Sequence, residues 1–140
     1  MINYELIEHT ADIGVRVWGK DLRDLFKNAA EAMLDILIER KGEAGEKLLK
    51  QEIKIEADTK EELLRSWLAE LLSLQDAKKI FFTKIEIQDI SEKILQAKVY
   101  TGPLGKKTHA IKTEIKAVTY HGLKIEKDCG RLKAEIIFDV

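Results

Sequence analysis

Leu132-Lys133-Ala134-Glu135-Ile136-Ile137-Phe138-Asp139-Val140 alternates as a β-strand does, with Leu132, Ala134, Ile136 and Phe138 turned one way. Asp139 falls on the other face, and the α-carboxylate of Val140 follows one residue later. Chain ends usually fray, but an apolar strand end is expected to be tied into a sheet. Two anionic oxygen groups then stand side by side at a fixed place, where like charges repel. A bound cation relieves that repulsion; a nearby Lys or Arg does so too.

The rest of the chain supplies partners for such a strand. Tyr4 to Glu8 and Ile13 to Trp18 read as strands, joined by the polar stretch His9-Thr10-Ala11-Asp12. Gly19 breaks the second strand, and Asp21 is suited to cap a helix running to about Arg40. Leu22, Leu25, Phe26, Ala29, Ala30, Met33, Leu34 and Leu37 give that helix one apolar stripe, and Gly42 ends it before a charged loop over 42–50. Ile53, Ile55 and Ala57 alternate in a strand over 52–57. Thr59-Lys60-Glu61-Glu62 forms a capping box for a second helix ending near 76–79. Leu63, Leu64, Trp67, Leu68, Leu71 and Leu72 are its buried stripe. Strands are expected over about 80–88, 93–100, 111–120, 122–127 and 131–140, with turns at Asp89-Ile90-Ser91, Tyr120-His121-Gly122 and Lys127-Asp128-Cys129-Gly130. Consecutive, hairpin-like strands and two main helices predict an α+β fold, a layered sandwich with a mixed, largely antiparallel sheet or sheets, in a single domain over 1–140.

Composition narrows the function classes. At 140 residues, 45% hydrophobic and 35% charged, the chain describes a globular protein with a real core. A formal net charge of -1 gives no overall basic footprint for nucleic acid. The single cysteine, Cys129, excludes an internal disulfide and a multi-cysteine zinc site, which suits a reducing compartment. No stretch approaches a membrane span, and the first residues lack the basic and apolar regions of a secretory signal; a cytoplasmic protein with no membrane partner is expected.

A few side chains suggest chemistry. His9 and Asp12, three apart in a strand connection, can both point outward, with Gly14 allowing another backbone to approach closely. The same spacing describes a turn in which Asp12 binds local amides. Lys116, Val118 and Tyr120 share one face of a strand, and the Lys there is equally an ordinary solvated one. Cys129 lies in a turn, and His121 is the one base that a hairpin brings toward it. Lys106, Lys107 and His109 make a small basic cluster in an exposed loop. Trp18 stands on the polar face of its strand, where the remainder of the fold is expected to cover it. No Gly-rich phosphate loop is present, so nothing in the pattern suggests a nucleotide bound by this chain alone.

Four blocks are more specific together than apart. Glu8-His9-Thr10-Ala11-Asp12-Ile13-Gly14, Trp67-Leu68-Ala69-Glu70-Leu71-Leu72, Glu114 to Leu123, and Ile137-Phe138-Asp139-Val140 resemble the archease family in order, spacing and total length. The resemblance covers essentially the whole chain, and Lys116-Ala117-Val118-Thr119-Tyr120-His121 is its most distinctive block. It implies an activator of the GTP-dependent tRNA-splicing RNA ligase, and no enzyme in its own right. Such an activator promotes guanylylation of the ligase histidine, permits multiple turnover and broadens nucleotide specificity, touching tRNA only indirectly. A chaperone for RNA-modifying enzymes is the older idea for the family.

The family's metal site maps onto Asp12, Asp139 and Val140. These are hard oxygen donors that suit Ca²⁺, Mg²⁺ or Mn²⁺. His9 and His121 are expected to orient the carboxylates, and Lys116 to pair with them or to contact the partner. A stand-alone metal-dependent hydrolase, with Asp12, Asp139 and His121 activating water, is the competing reading.

Overall fold

The C-terminal strand is interior to its sheet. In a computed structural model, which describes residues 3–8, 12–40, 49–78, 80–103, 109–111 and 113–140, ten strands and two helices follow in the order β1 (Tyr4–Glu8), β2 (Asp12–Gly19), α1 (Leu22–Leu37), β3 (Ile38–Arg40), β4 (Leu49–Glu56), α2 (Lys60–Lys78), β5 (Ile80–Ile90), β6 (Ile94–Pro103), β7 (His109–Ile111), β8 (Ala117–Val118), β9 (Ile125–Asp128) and β10 (Arg131–Asp139). β10 pairs with β2 on one side and with β8 and β9 on the other, and β1 closes the β2 edge of this five-stranded sheet. A second sheet has the order β4-β6-β5, and β3 pairs with β7. Every ladder among the described residues is antiparallel, so the α+β, largely antiparallel expectation holds.

The two helices touch both larger sheets: α1 packs on β2 and β5, and α2 on β8, β4 and β5. α1 consequently buries residues nearly all round, from Leu25, Phe26 and Ala29 to Ala32, Met33 and Ile36. One core cluster runs from Val15 and Ile136 of the five-stranded sheet, through Trp67 and Leu68 of α2, to Leu95 and Val99 of the second sheet. Trp67 Nε1 donates to the Phe26 carbonyl oxygen at 3.0 Å, which satisfies the indole inside the core and ties α2 to α1. No helix among the described residues is long and apolar enough to cross a membrane.

Asp21 caps α1 as expected, and Thr59 supplies its half of the expected capping box. The Asp21 carboxylate accepts from the Asp24 amide at 2.8 Å, and the Thr59 hydroxyl from the Glu62 amide at 3.1 Å. Two predicted boundaries move. α1 stops at Leu37 rather than near Arg40, because Ile38–Arg40 leaves the helix to pair with His109–Ile111. Glu39 and Arg40 are good helix formers, and tertiary pairing overrides that preference. The long strand expected over 111–120 is interrupted for the same kind of reason. Its start pairs with β3 and its end with β10, so the chain changes sheets between them. The charged loop expected over 42–50 gives up Leu49 and Lys50 to β4, and its remainder lies outside the described residues, as do Lys106 and Lys107.

Gly19 ends β2 where α1 begins. A Cβ there would stand 2.3 Å from the Leu25 amide nitrogen and 2.6 Å from its Cα, both of which are helix backbone. Gly19→Ala is therefore expected to destabilise the protein by about 1–3 kcal/mol, as overpacking does. Urea unfolding checks this: the midpoint should fall with the slope unchanged. An unaltered midpoint would show that the helix start yields without cost.

Candidate functional site

The alternation of β2 and β10 sorts the five-stranded sheet into a helix-covered face and an outer face. Val15, Val17, Ala134, Ile136 and Phe138 point to the helices and are fully or almost fully buried. Across the outer face, cross-strand partners form successive rows. Glu5, Arg16 and Glu135 form one, in which the Arg16 guanidinium pairs with both carboxylates. Ile7, Gly14 and Ile137 form the next. Asp12 and Asp139 lie opposite each other in the last, with Ala117 beside Asp139.

Hydrogen-bond direction fixes how close the two aspartates come. The Asp139 carbonyl oxygen accepts from the Lys116 amide at 2.7 Å, and that of Ile137 from the Thr119 amide at 3.0 Å, so the odd-numbered residues of β10 bond away from β2. Asp12 and Asp139 are thus a non-hydrogen-bonded pair, the narrow kind, with Cα atoms about 4.5 Å apart. Asp139 is exposed and Asp12 half-buried. Gly14 permits the row behind them to close: Ile137 Cδ1, Ile7 Cβ and, as expected of a backbone approach, the Ile7 carbonyl oxygen lie 3.1, 3.2 and 3.4 Å from where its own Cβ would be.

The donor chemistry of this pair fits a hard divalent cation. Two carboxylates at that separation can share one ion, and Mg²⁺ in particular is commonly bound by one or two carboxylates plus water. Among the described residues no group of three or more His, Cys, Asp or Glu side chains converges. Val140 follows the pair, half-buried and packed against the core. His9 lies outside the described residues. His121 stands in the turn beyond Thr119, where its amide donates to the Thr119 hydroxyl at 3.2 Å. Lys116, expected to pair with the carboxylates or to contact the partner, stands beside Asp139. Its amide holds Asp139, but alternation turns its side chain with Val118 toward α2, where it lines a groove with Arg65 and Asp76.

A profile of the Archease protein family (MTH1598/TM1083) matches residues 4–140. The chain belongs to the archease family. Protein archease of Pyrococcus furiosus is 37% identical with the whole of each chain covered. That of Methanosarcina mazei is 36% identical, over 98% of this chain and 95% of its own. The solution structure of Methanobacterium thermoautotrophicum protein 1598 superposes with a TM-score of 0.77 at 31% identity, covering 99% of both chains. The crystal structure of an archease from Thermotoga maritima, described there as a possible chaperone, gives 0.63 at 27%, covering 96% of this chain and 94% of that one.

In this archease fold, two α2 side chains that the sequence pattern passed over hold the site's flank. Glu61 accepts from the Ile125 amide at 3.0 Å, and Arg65 Nε donates to the Val118 carbonyl at 3.1 Å, so one turn of α2 fastens both β8 and β9. Their i, i+4 spacing on a polar helix face was visible, but their targets were not. Cys129 occupies the β9–β10 turn at φ 51, followed by Gly130 at φ 83. Six residues of β10 separate that turn from the Thr119–Ile137 contact, roughly 20 Å at the usual strand rise. The sheet therefore does not bring His121 to Cys129.

Trp18, half-buried, is covered by this hairpin. Its Nε1 donates to Asp128 Oδ2 at 3.1 Å, and the Arg131 guanidinium lies 4.9 Å from its ring centroid. The Trp18 hydrogen bond, helped by Lys133 and Arg131, holds the Asp128 carboxyl below its ordinary 3.8. A carboxyl lowered on folding contributes stability above its unfolded value and loses it as pH falls through the folded one. NMR titration should place Asp128 below 3.8, and Trp18→Phe should return it toward that value.

Proposed function

We propose that this chain activates a GTP-dependent tRNA-splicing RNA ligase and that Asp12, Asp139 and Val140 hold a divalent cation, Ca²⁺, Mg²⁺ or Mn²⁺, on the face that meets it. In this reading the chain is no catalyst itself. It promotes guanylylation of the ligase histidine, allows repeated turnover and widens the range of nucleotides used, meeting tRNA only through the ligase. Family membership supports this, and the observation that carries it is the register that sets Asp12 opposite Asp139.

The cation, when bound, supplies positive charge that offsets phosphate oxygens during transfer of the guanylyl group. The chain's residues make that charge available at a fixed point. Asp139 is held between β2 and the Lys116 amide, so its carboxylate projects from a strand anchored on both sides. Asp12 supplies the facing oxygens, and Val140 its main-chain oxygen. His9 and His121 orient these donors. Lys116, turned toward α2, contacts the partner rather than the acids. The name possible chaperone attached to the Thermotoga maritima protein accords with an accessory role.

Multiple-turnover ligation by the partner enzyme, with and without this chain, is the direct test. Asp12→Ala and Asp139→Ala should each abolish stimulation while retaining the native circular dichroism spectrum. Full stimulation by folded Asp12→Ala would reject the mechanism. Calorimetric titration with Mn²⁺ should show binding that both variants lose.

A further inference from the structure

β5 carries β6 along one side and, among the described residues, no strand along the other, so it is an edge of the β4-β6-β5 sheet. An edge strand leaves alternate amides and carbonyls unpaired and is a template for a further strand. Beside this edge a hollow of about 540 Å³ opens between β5 and α1. Five consecutive residues, Phe82 to Glu86, line it from β5, facing the side of α1 that runs from Lys27 to Asp35. Successive strand residues point to opposite faces, so a hollow that meets all five runs along the backbone edge rather than over one face of the sheet.

β-Bulges lie between Phe82 and Lys84 and between Ile87 and Asp89, which leaves Lys84 to Ile87 as regular ladder. The Arg23 guanidinium donates to the Ile87 and Gln88 carbonyls and so occupies β5 just beyond that stretch. Ile85 and Ile87 are buried in the core, and Lys84 and Glu86 stand on the outer face, paired at 2.8 Å. Charges on an edge discourage indiscriminate pairing. The order Lys84-Ile85-Glu86 nevertheless suits one partner, because it complements itself when read backwards. In an antiparallel pair of identical strands about a two-fold axis, buried and exposed faces match only if a residue sits on the axis. Lys84 or Glu86 on the axis would meet its own like-charged copy. Ile85 on the axis sets Lys84 of each chain against Glu86 of the other, twice over, as opposite charges across a strand pair prefer. The added strand's Ile85 then projects to the α1 side, where the hollow gives it room.

We propose that β5 pairs with β5 of a second copy of this chain, antiparallel and centred on Ile85, joining two three-stranded sheets into one. The regular stretch is only Lys84 to Ile87 on each side, so the contact lies at the small end of interfaces and the dimer is weak and reversible. It uses the sheet that does not contain Asp12 and Asp139, so it stands or falls apart from the proposed cation site and is tested in chelator with the chain alone.

Sedimentation equilibrium of the full chain over a concentration series should show monomer and dimer, and amide resonances of 83–87 should shift with concentration. Lys84→Glu and Glu86→Lys should each raise the dissociation constant by about fivefold or more, since each sets two like-charge pairs in register. The double exchange, Lys84→Glu with Glu86→Lys, reverses the order and should return the constant close to that of the original chain. Lys54→Glu is the control. It breaks the corresponding 3.6 Å pair of Lys54-Ile55-Glu56 on β4, at the opposite edge of the same sheet, and should leave the dimer unchanged. A chain that stays monomeric at millimolar concentration overturns the proposal, and so does undiminished dimerisation by the single variants or a double exchange that restores nothing. Dissociation by Lys54→Glu, or growth beyond a dimer, would mean that β4 makes the contact and overturns it equally. Should Glu86→Lys fail to fold, Lys84→Glu decides, since its side chain is exposed.

Discussion

The seating of β10 between β2 and the β8–β9 edge is the constraint on which the rest of the structure depends. A strand bonded on both sides cannot slip by one residue without turning Ala134, Ile136 and Phe138 out of the core and Glu135 and Asp139 into it. That burial, on the order of 1.5–3 kcal/mol for each large apolar side chain, locks the register. The position of Asp139 opposite Asp12 is a consequence of locking it.

The surroundings of the acidic pair are over-determined. Arg16 balances Glu5 and Glu135 two rows away, Ile7 and Ile137 close over Gly14, and the core beneath fixes the strands. The exposed Glu5–Arg16–Glu135 ladder adds modest stability at best. Asp12 and Asp139 form the last row of that outer face. Helix α2 acts from the other side. Glu61 and Arg65 hold the β8–β9 segment against β10, and Trp67, two positions after Arg65, bonds α1. The same helix thus presses the core together and sets the flank of Asp139.

Much of this was legible in the chain. Period-two alternation marked β1, β2, β4 and β10, and caps at Asp21 and Thr59 marked both helix starts, because these signals are local. The reading failed where residues far apart in sequence choose each other. Ile38–Arg40 leaves a helix for a strand that arrives some seventy residues later, and the 111–120 segment divides between two sheets. Lys116 shows the difference in miniature. Its face could be read from Val118 and Tyr120, but which side of the sheet that face met could not.

The sequence by itself determined the elements, the apolar faces, the family and the identity of the two aspartates, since each is carried by residue type and spacing along the chain. Only the tertiary structure decided that Asp12 and Asp139 form a narrow cross-strand pair, that the Lys116 side chain lies away from them, and that Arg65 and Tyr120 stack beside it. The physical reason is that strand order, ladder polarity and helix placement are set by long-range burial of one shared core, and no local pattern encodes which edge a strand will join.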